Sequence, residues 1–108
     1  MFLPLMTAAA ADVSGTWKLE GEVAGVQISR MCALKQAEKK ITGTCKGAMG
    51  EVTLAGEVDG KKVSFSYQAD YQGQKLTVAY KGTLESDTLM KGDISADVAT
   101  GSFKAEKQ

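Results

Sequence analysis

The chain has 108 residues, 44% of them hydrophobic, with 13 basic and 13 acidic side chains and no histidine. That length supports one domain with a small core. Balanced charge gives no electrostatic basis for a nucleic-acid partner or an anionic membrane surface, and no apolar run reaches the ~18 residues that a helical membrane span requires.

Residues 1–11 read as the end of a secretory signal. Met1-Phe2-Leu3-Pro4-Leu5-Met6 is apolar, and Ala8-Ala9-Ala10-Ala11 precedes the first charged residue, Asp12. Small residues at the minus-three and minus-one positions suit cleavage after Ala11, although a basic n-region is missing. A disordered or membrane-leaning apolar arm is the alternative. On the first reading the protein is periplasmic or secreted, and residues 12–108 form a single folded domain.

From Val13 onward, turn signals recur at Ala24-Gly25, Glu38-Lys39, Gly50-Glu51, Asp59-Gly60, Gln72-Gly73, Ser86-Asp87 and Thr100-Gly101, and these seven turns imply eight strands. The segments between them alternate apolar and polar residues, as in Val63-Ser64-Phe65-Ser66-Tyr67, which is the pattern of half-buried strands. Register follows in chain order, because a two-residue loop sets which residues oppose each other and a slip of one would turn apolar groups to water. The first hairpin sets Val23 opposite Val26, Leu19 opposite Arg30 and Trp17 opposite Cys32; the second sets Leu34 opposite Gly43 and Cys32 opposite Cys45. Asp59-Gly60 carries the strongest hairpin chemistry, since a type I′ turn needs positive φ twice, and it opposes Leu54 to Phe65 and Val52 to Tyr67. Gln72-Gly73 opposes Phe65 to Tyr80 and Tyr67 to Val78. A bulged loop of Ser86, Asp87 and Thr88 then sets Tyr80 opposite Ile94, and Thr100-Gly101 sets Val98 opposite Phe103.

A flat meander with one apolar face would expose that face and leave two sticky edges, whereas closure removes both. The expected fold is therefore all-β, an eight-stranded antiparallel up-and-down barrel, with a two-sheet sandwich as the alternative.

Cys32 and Cys45 oppose each other, and Cβ atoms at such positions lie about 4.5–5.5 Å apart, near what a disulfide requires. A disulfide fits an exported protein; two reduced core cysteines in a cytosolic protein are the alternative. Two cysteines without histidine do not complete a zinc site, so no metal and no cofactor is expected.

The opening Ser14-Gly15-Thr16-Trp17-Lys18-Leu19 resembles the Gly-x-Trp start shared by the calycin families, namely lipocalins, fatty-acid-binding proteins and avidins. With Ile41-Thr42-Gly43-Thr44 it is also similar to small exported bacterial proteins. The resemblance implies that Trp17 closes one barrel end beneath a basic side chain of the last strand, Lys104 or Lys107. The single tryptophan departs from the several with which avidins hold biotin. The derived registers place Trp17 in a layer with Cys32, Cys45, Gly56, Val63, Gly82 and Gly92, small enough neighbours for a plug; strand coiling is the other use for those glycines. The opposite end, around Gly25, Gly50, Gly73 and Gly101, becomes a mouth lined by Ile28, Met49, Tyr67, Tyr71, Leu76 and Val98.

One inward position breaks the apolar pattern. Arg30 shares its face with Val26, Ile28, Cys32 and Leu34, and no acidic residue falls on the inward face. A buried guanidinium needs a partner. The candidates are the hydroxyls of Tyr80 and Tyr67, main-chain carbonyls, or the anion of a ligand, and an arginine with tyrosines inside an apolar barrel resembles the carboxylate clamp of fatty-acid-binding proteins. A bulge near Ser29 that turns Arg30 outward, or snorkelling to the rim, is the alternative. The expected function is non-catalytic binding of a small apolar, acidic ligand by Arg30, Tyr67, Tyr80, Tyr71, Met49 and Ile28, with Trp17, Cys32 and Cys45 structural. Two other readings stay open: a structural or protein-interaction module with a filled barrel, oligomeric through its outer sheet, and a small cyclase or isomerase using Tyr80 and Arg30.

Overall fold

The computed structural model describes residues 12–47, 50–71, 73–96 and 99–108, and of Tyr71 the main chain only. The expected leader at residues 1–11 lies outside the described residues. Eight strands follow one another: β1 (Gly15–Val23), β2 (Val26–Ala37), β3 (Lys40–Gly47), β4 (Gly50–Asp59), β5 (Lys62–Tyr71), β6 (Gln74–Ser86), β7 (Leu89–Ala96) and β8 (Ala99–Lys107). Each pairs antiparallel with its predecessor, and β8 returns to β1, so the sheet is a closed up-and-down barrel.

Local chemistry accounts for several hairpins. Ala24 (φ 50°) and Gly25 (φ 81°) both take the left-handed conformation that a type I′ turn demands. The resulting register opposes Trp17 to Cys32 and Leu19 to Arg30, as the spacing requires. Across β2 and β3, Cys32 opposes Cys45, and the two form a disulfide. β5 and β6 oppose Tyr67 to Val78 and Phe65 to Tyr80, and β7 places Ile94 opposite Tyr80. The β6–β7 connection differs in detail: Ser86 pairs with Leu89 after an irregularity at Glu85, so a two-residue loop and a bulge replace the expected three-residue loop.

Three registers differ from those read in the sequence. The β4–β5 loop is Gly60-Lys61, flanked by Asp59 opposite Lys62, and only Gly60 takes positive φ (63°), the pattern of a type II′ loop. Leu54 therefore opposes Tyr67, and Gly56 opposes Phe65. β3 meets β4 with Gly47 opposite Gly50, which places Val52, not Gly56, opposite Cys45. β7 meets β8 with Ala96 opposite Ala99, so Thr100-Gly101 lies inside β8 and Phe103 opposes Gly92; Val98 lies outside the described residues. Each displacement is by an even number of residues. It keeps every side chain on its face, and a test of facing is blind to it. Gly101 serves close approach rather than turning: a Cβ there would collide with the main-chain carbonyl of Glu22 on β1.

The core runs along the barrel axis. Trp17, Leu19, Ile41, Leu54, Tyr80, Met90 and Ile94 are fully buried among the twenty buried apolar residues of the described chain, and a buried Leu, Ile, Val, Phe or Met contributes about 1.5–3 kcal/mol relative to exposure. Phe65 stacks on Tyr80 (4.8 Å between centroids, 13° between planes), and the Phe103 ring meets both edge-on at 6.2 and 5.1 Å. Phe103 finds room because Gly82 has no side chain, where a Cβ would lie 2.8 Å from its ring.

One end is closed by the segment just before β1. The indole N–H of Trp17 donates to the Val13 carbonyl at 2.8 Å, the Val13 N–H donates to the Gln36 side chain at 2.9 Å, and the Gln36 N–H donates to the Ser14 hydroxyl at 3.0 Å. Val13 itself is fully buried. Of the two lysines expected near the ring, Lys107 stands 5.9 Å from its centroid, whereas Lys104 pairs with Glu106 at the surface. The three loops at this end are also stitched to the next hairpin, through Val58 N–H to Lys39 carbonyl, Leu84 N–H to Lys61 carbonyl, and Lys107 N–H to Thr88 carbonyl.

Candidate functional site

The opposite end is less tightly filled. Ile28, Val52, Ala69, Ala96 and Ala99 are half-buried around its rim, packed against the core below. Beneath them Arg30 points into the barrel, and it is the buried charged residue among those described, 9% exposed. Its place on β2 follows from strand parity, two residues from Cys32 and four from Leu34 on the same face. Opposite it on β3 stands Gly47, where a Cβ would lie 2.9 Å from the Ser29 carbonyl oxygen and 3.0 Å from Arg30 Cγ. Gly47 thus makes room for the arginine stem.

The guanidinium reaches past β3. One terminal nitrogen donates to the main-chain carbonyl of Gly50 on β4 at 3.2 Å, and the guanidinium carbon stands 5.2 Å from the centre of the Tyr67 ring, a cation–π contact worth roughly 0.5–2 kcal/mol. No carboxylate among the described residues is within ion-pairing distance of it. Among the described residues no sealed side-chain nitrogen or oxygen lacks a partner, and the Gly50 carbonyl is the acceptor they offer the guanidinium.

Tyr67 continues the connection inward. Its hydroxyl lies 2.6 Å from that of Tyr80, in a buried hydrogen bond. Burial, and then the neighbouring Tyr67, hold the Tyr80 hydroxyl well above the ordinary tyrosine pKa, while Arg30 acts in the opposite sense. The sequence offered both tyrosine hydroxyls as partners for Arg30. In the structure Arg30 meets the Tyr67 ring, and Tyr80 follows behind it.

Beside Arg30 the barrel wall opens. β4 and β5 are paired only from Asp59 opposite Lys62 up to Leu54 opposite Tyr67. Beyond that point residues 50–53 pair with β3 alone, and residues 68–71 pair with β6 alone. The slot between them holds a pocket of about 570 Å³, lined by Arg30, Val52, Leu54, Tyr67 and Ala69 from the inner face and from the outer by Thr53, Ala55, Ser66, Gln68 and Thr77 with the charged Glu51, Asp70 and Lys75. A second depression, of about 450 Å³, lies between Glu57, Asp59 and Asp93 on one hand and Lys62, Lys81 and Lys91 on the other, so its charges balance.

Of the expected site residues, Arg30 and Tyr67 line the slot pocket, Tyr80 backs them from the core, and Ile28 stands half-buried at the rim. Met49 lies outside the described residues, as does the side chain of Tyr71. Sequence reading missed Gly47, Val52, Ala69 and the slot itself. A glycine within a strand pattern was the one available sign for Gly47; a gap in pairing leaves no sign in either strand, since both keep their alternation.

No protein-family model matches the chain, and no curated protein matches it. Among solved structures, a redesigned β-barrel superposes with a TM-score of 0.74 at 13% identity, covering 89% of this chain and 91% of that one. The redesigned β-barrel mFAP1, bound to DFHBI, superposes with a TM-score of 0.64 at 12% identity, covering 89% and 94%. At such identity the likeness is one of fold.

Proposed function

We propose that this barrel binds, without turning over, a small apolar ligand that carries an acid group, and that Arg30 receives the acid. The observation that carries this reading is a guanidinium facing an open pocket with one main-chain hydrogen bond among the described residues and no described carboxylate within ion-pairing distance, Glu51 and Asp70 lining the pocket without pairing with it. Desolvating a charge costs several kcal/mol unless it is paired, and a planar fork matches a carboxylate through two parallel hydrogen bonds. The rim residues Ile28, Val52 and Ala69 offer the apolar remainder its contacts. A barrel of similar fold holds DFHBI. The Trp17-closed end and the resemblance to calycins agree with the same reading, and the Cys32–Cys45 disulfide agrees with an exported, oxidising location. No helix among the described residues is long and apolar enough to cross a membrane.

The interaction-module reading calls for an apolar outer patch. Among the described residues the exposed large apolar side chains are Val26 (48%) and Met31 (43%) of β2, and strand parity puts Met31 on the outer face but Val26 on the face of Arg30, so the two do not form one outer patch. The test is titration of the protein with decanoate and with decanol, followed by native mass spectrometry. Decanoate should bind at least tenfold more tightly than decanol, and Arg30→Leu should abolish the difference, as expected for a charge-assisted pair of about 1.5–3 kcal/mol. Equal binding of acid and alcohol by the unaltered protein would overturn the proposal.

A further inference from the structure

The slot between β4 and β5 has a feature that a hydrocarbon acid does not use. Residues 50–53 and residues 68–71 each form a regular strand whose far side is paired and whose slot side meets no strand. In a strand, alternate residues direct both N–H and C=O to the same side, so each stretch aims main-chain donors and acceptors into the opening. On β4 the Gly50 carbonyl is already taken by Arg30. The β5 edge, at Gln68, Ala69 and Asp70, has no ladder partner on its slot side.

We propose that this slot takes a short extended peptide with a free C-terminal carboxylate, its main chain added to the β5 edge and its carboxylate on Arg30. The inference rests on the reading of Arg30 as the acid receptor and names the class of acid. Three observations converge on it. Strand addition satisfies edge N–H and C=O groups that a fatty acid would leave to water. The pocket of about 570 Å³ and the unpaired stretch of four residues on each side both suit about four residues, an extended length of roughly 13 Å. The lining is also divided in the way a strand needs. Val52, Leu54 and Ala69 flank the slot from inside the barrel, and Thr53 and Gln68 flank it from outside together with the charged Glu51, Asp70 and Lys75, so alternate side chains of an added strand would meet apolar neighbours inward and polar or charged neighbours outward.

The test uses the whole protein with three probes: acetyl-Ala-Val-Ala-Val with a free carboxylate, the same peptide as its C-terminal amide, and decanoate. Calorimetry measures affinity, and amide hydrogen exchange by NMR follows Gln68, Ala69 and Asp70. The peptide acid should bind at least about tenfold more tightly than the amide, a difference that Arg30→Leu removes. It should also slow exchange at slot-facing amides among those three residues, which decanoate does not. Binding of decanoate in an Arg30-dependent way, without binding of the peptide acid, would sink the peptide inference and leave the acid-binding reading standing. Binding of neither would overturn both. Peptide binding with unchanged exchange at β5 would place the peptide elsewhere and overturn the slot.

Discussion

Arg30 on β2 donates to the main-chain carbonyl of Gly50 on β4, at 3.2 Å, although an entire strand separates them. The bond passes beneath the rim and holds the guanidinium over Tyr67. Among the described residues it is one hydrogen bond for a charge that is 9% exposed, which makes the arginine a weak contributor to stability and a ready receptor for an anion. Arg30→Leu should therefore leave stability unchanged or raise it by up to about 2 kcal/mol while removing acid binding. Chemical denaturation of the two proteins checks the first part, and a clear loss of stability would show that Arg30 is structural.

Gly47 should be intolerant of a side chain for the same reason. Gly47→Ala puts a methyl group 3.0 Å from Arg30 Cγ and 2.9 Å from a main-chain oxygen, and such overpacking costs about 1–3 kcal/mol. Denaturation reports the cost, and the acid titration should report a weakened site.

The Tyr67–Tyr80 bond gives the barrel a dependence on alkaline pH. The folded-state pKa of Tyr80 is raised, by burial first, so its neutral form is favoured on folding. That stability is fully present below the unfolded tyrosine value of about 10 and is lost as pH rises above it. The melting temperature should fall from about pH 10 upward, more steeply in the unaltered protein than in Tyr80→Phe. At neutral pH, Tyr80→Phe leaves the buried Tyr67 hydroxyl without its partner and should cost about 1–3 kcal/mol. Parallel pH slopes for the two proteins would contradict the assignment.

The closed end should depend on one hydrogen bond. Trp17→Phe keeps an aromatic ring but strands the buried Val13 carbonyl that the indole N–H now meets at 2.8 Å, a loss of about 1–3 kcal/mol. Calorimetric melting of the variant checks it.

Reduction gives a further check. The Cys32–Cys45 bridge closes a loop with a sequence separation of 13, and constraining the unfolded chain over such a loop stabilises by about 3 kcal/mol. The double substitution Cys32→Ser with Cys45→Ser, compared with the oxidised protein by urea denaturation, should show a loss of that size.

What the sequence by itself determined is facing. Alternation put Trp17, Leu19, Arg30, Cys32, Phe65, Tyr67 and Tyr80 on the inner surface, and short loops set neighbours within a hairpin, Ala24-Gly25 bringing Trp17 opposite Cys32 and Glu38-Lys39 bringing Cys32 opposite Cys45. These are properties of one strand or one hairpin, written within a few residues. Only the tertiary structure decided which of several equally apolar registers β3–β4, β4–β5 and β7–β8 adopt. An even slip leaves every side chain on its own face, and the choice falls to packing around the closed ring: Phe103 against Gly82, and Gly101 against the main chain of Glu22. The same closure left β4 and β5 unpaired beside Arg30, because the wall had to meet β3 on one side and β6 on the other. A gap between two regular strands is a relation between them, and neither strand's residues spell it out.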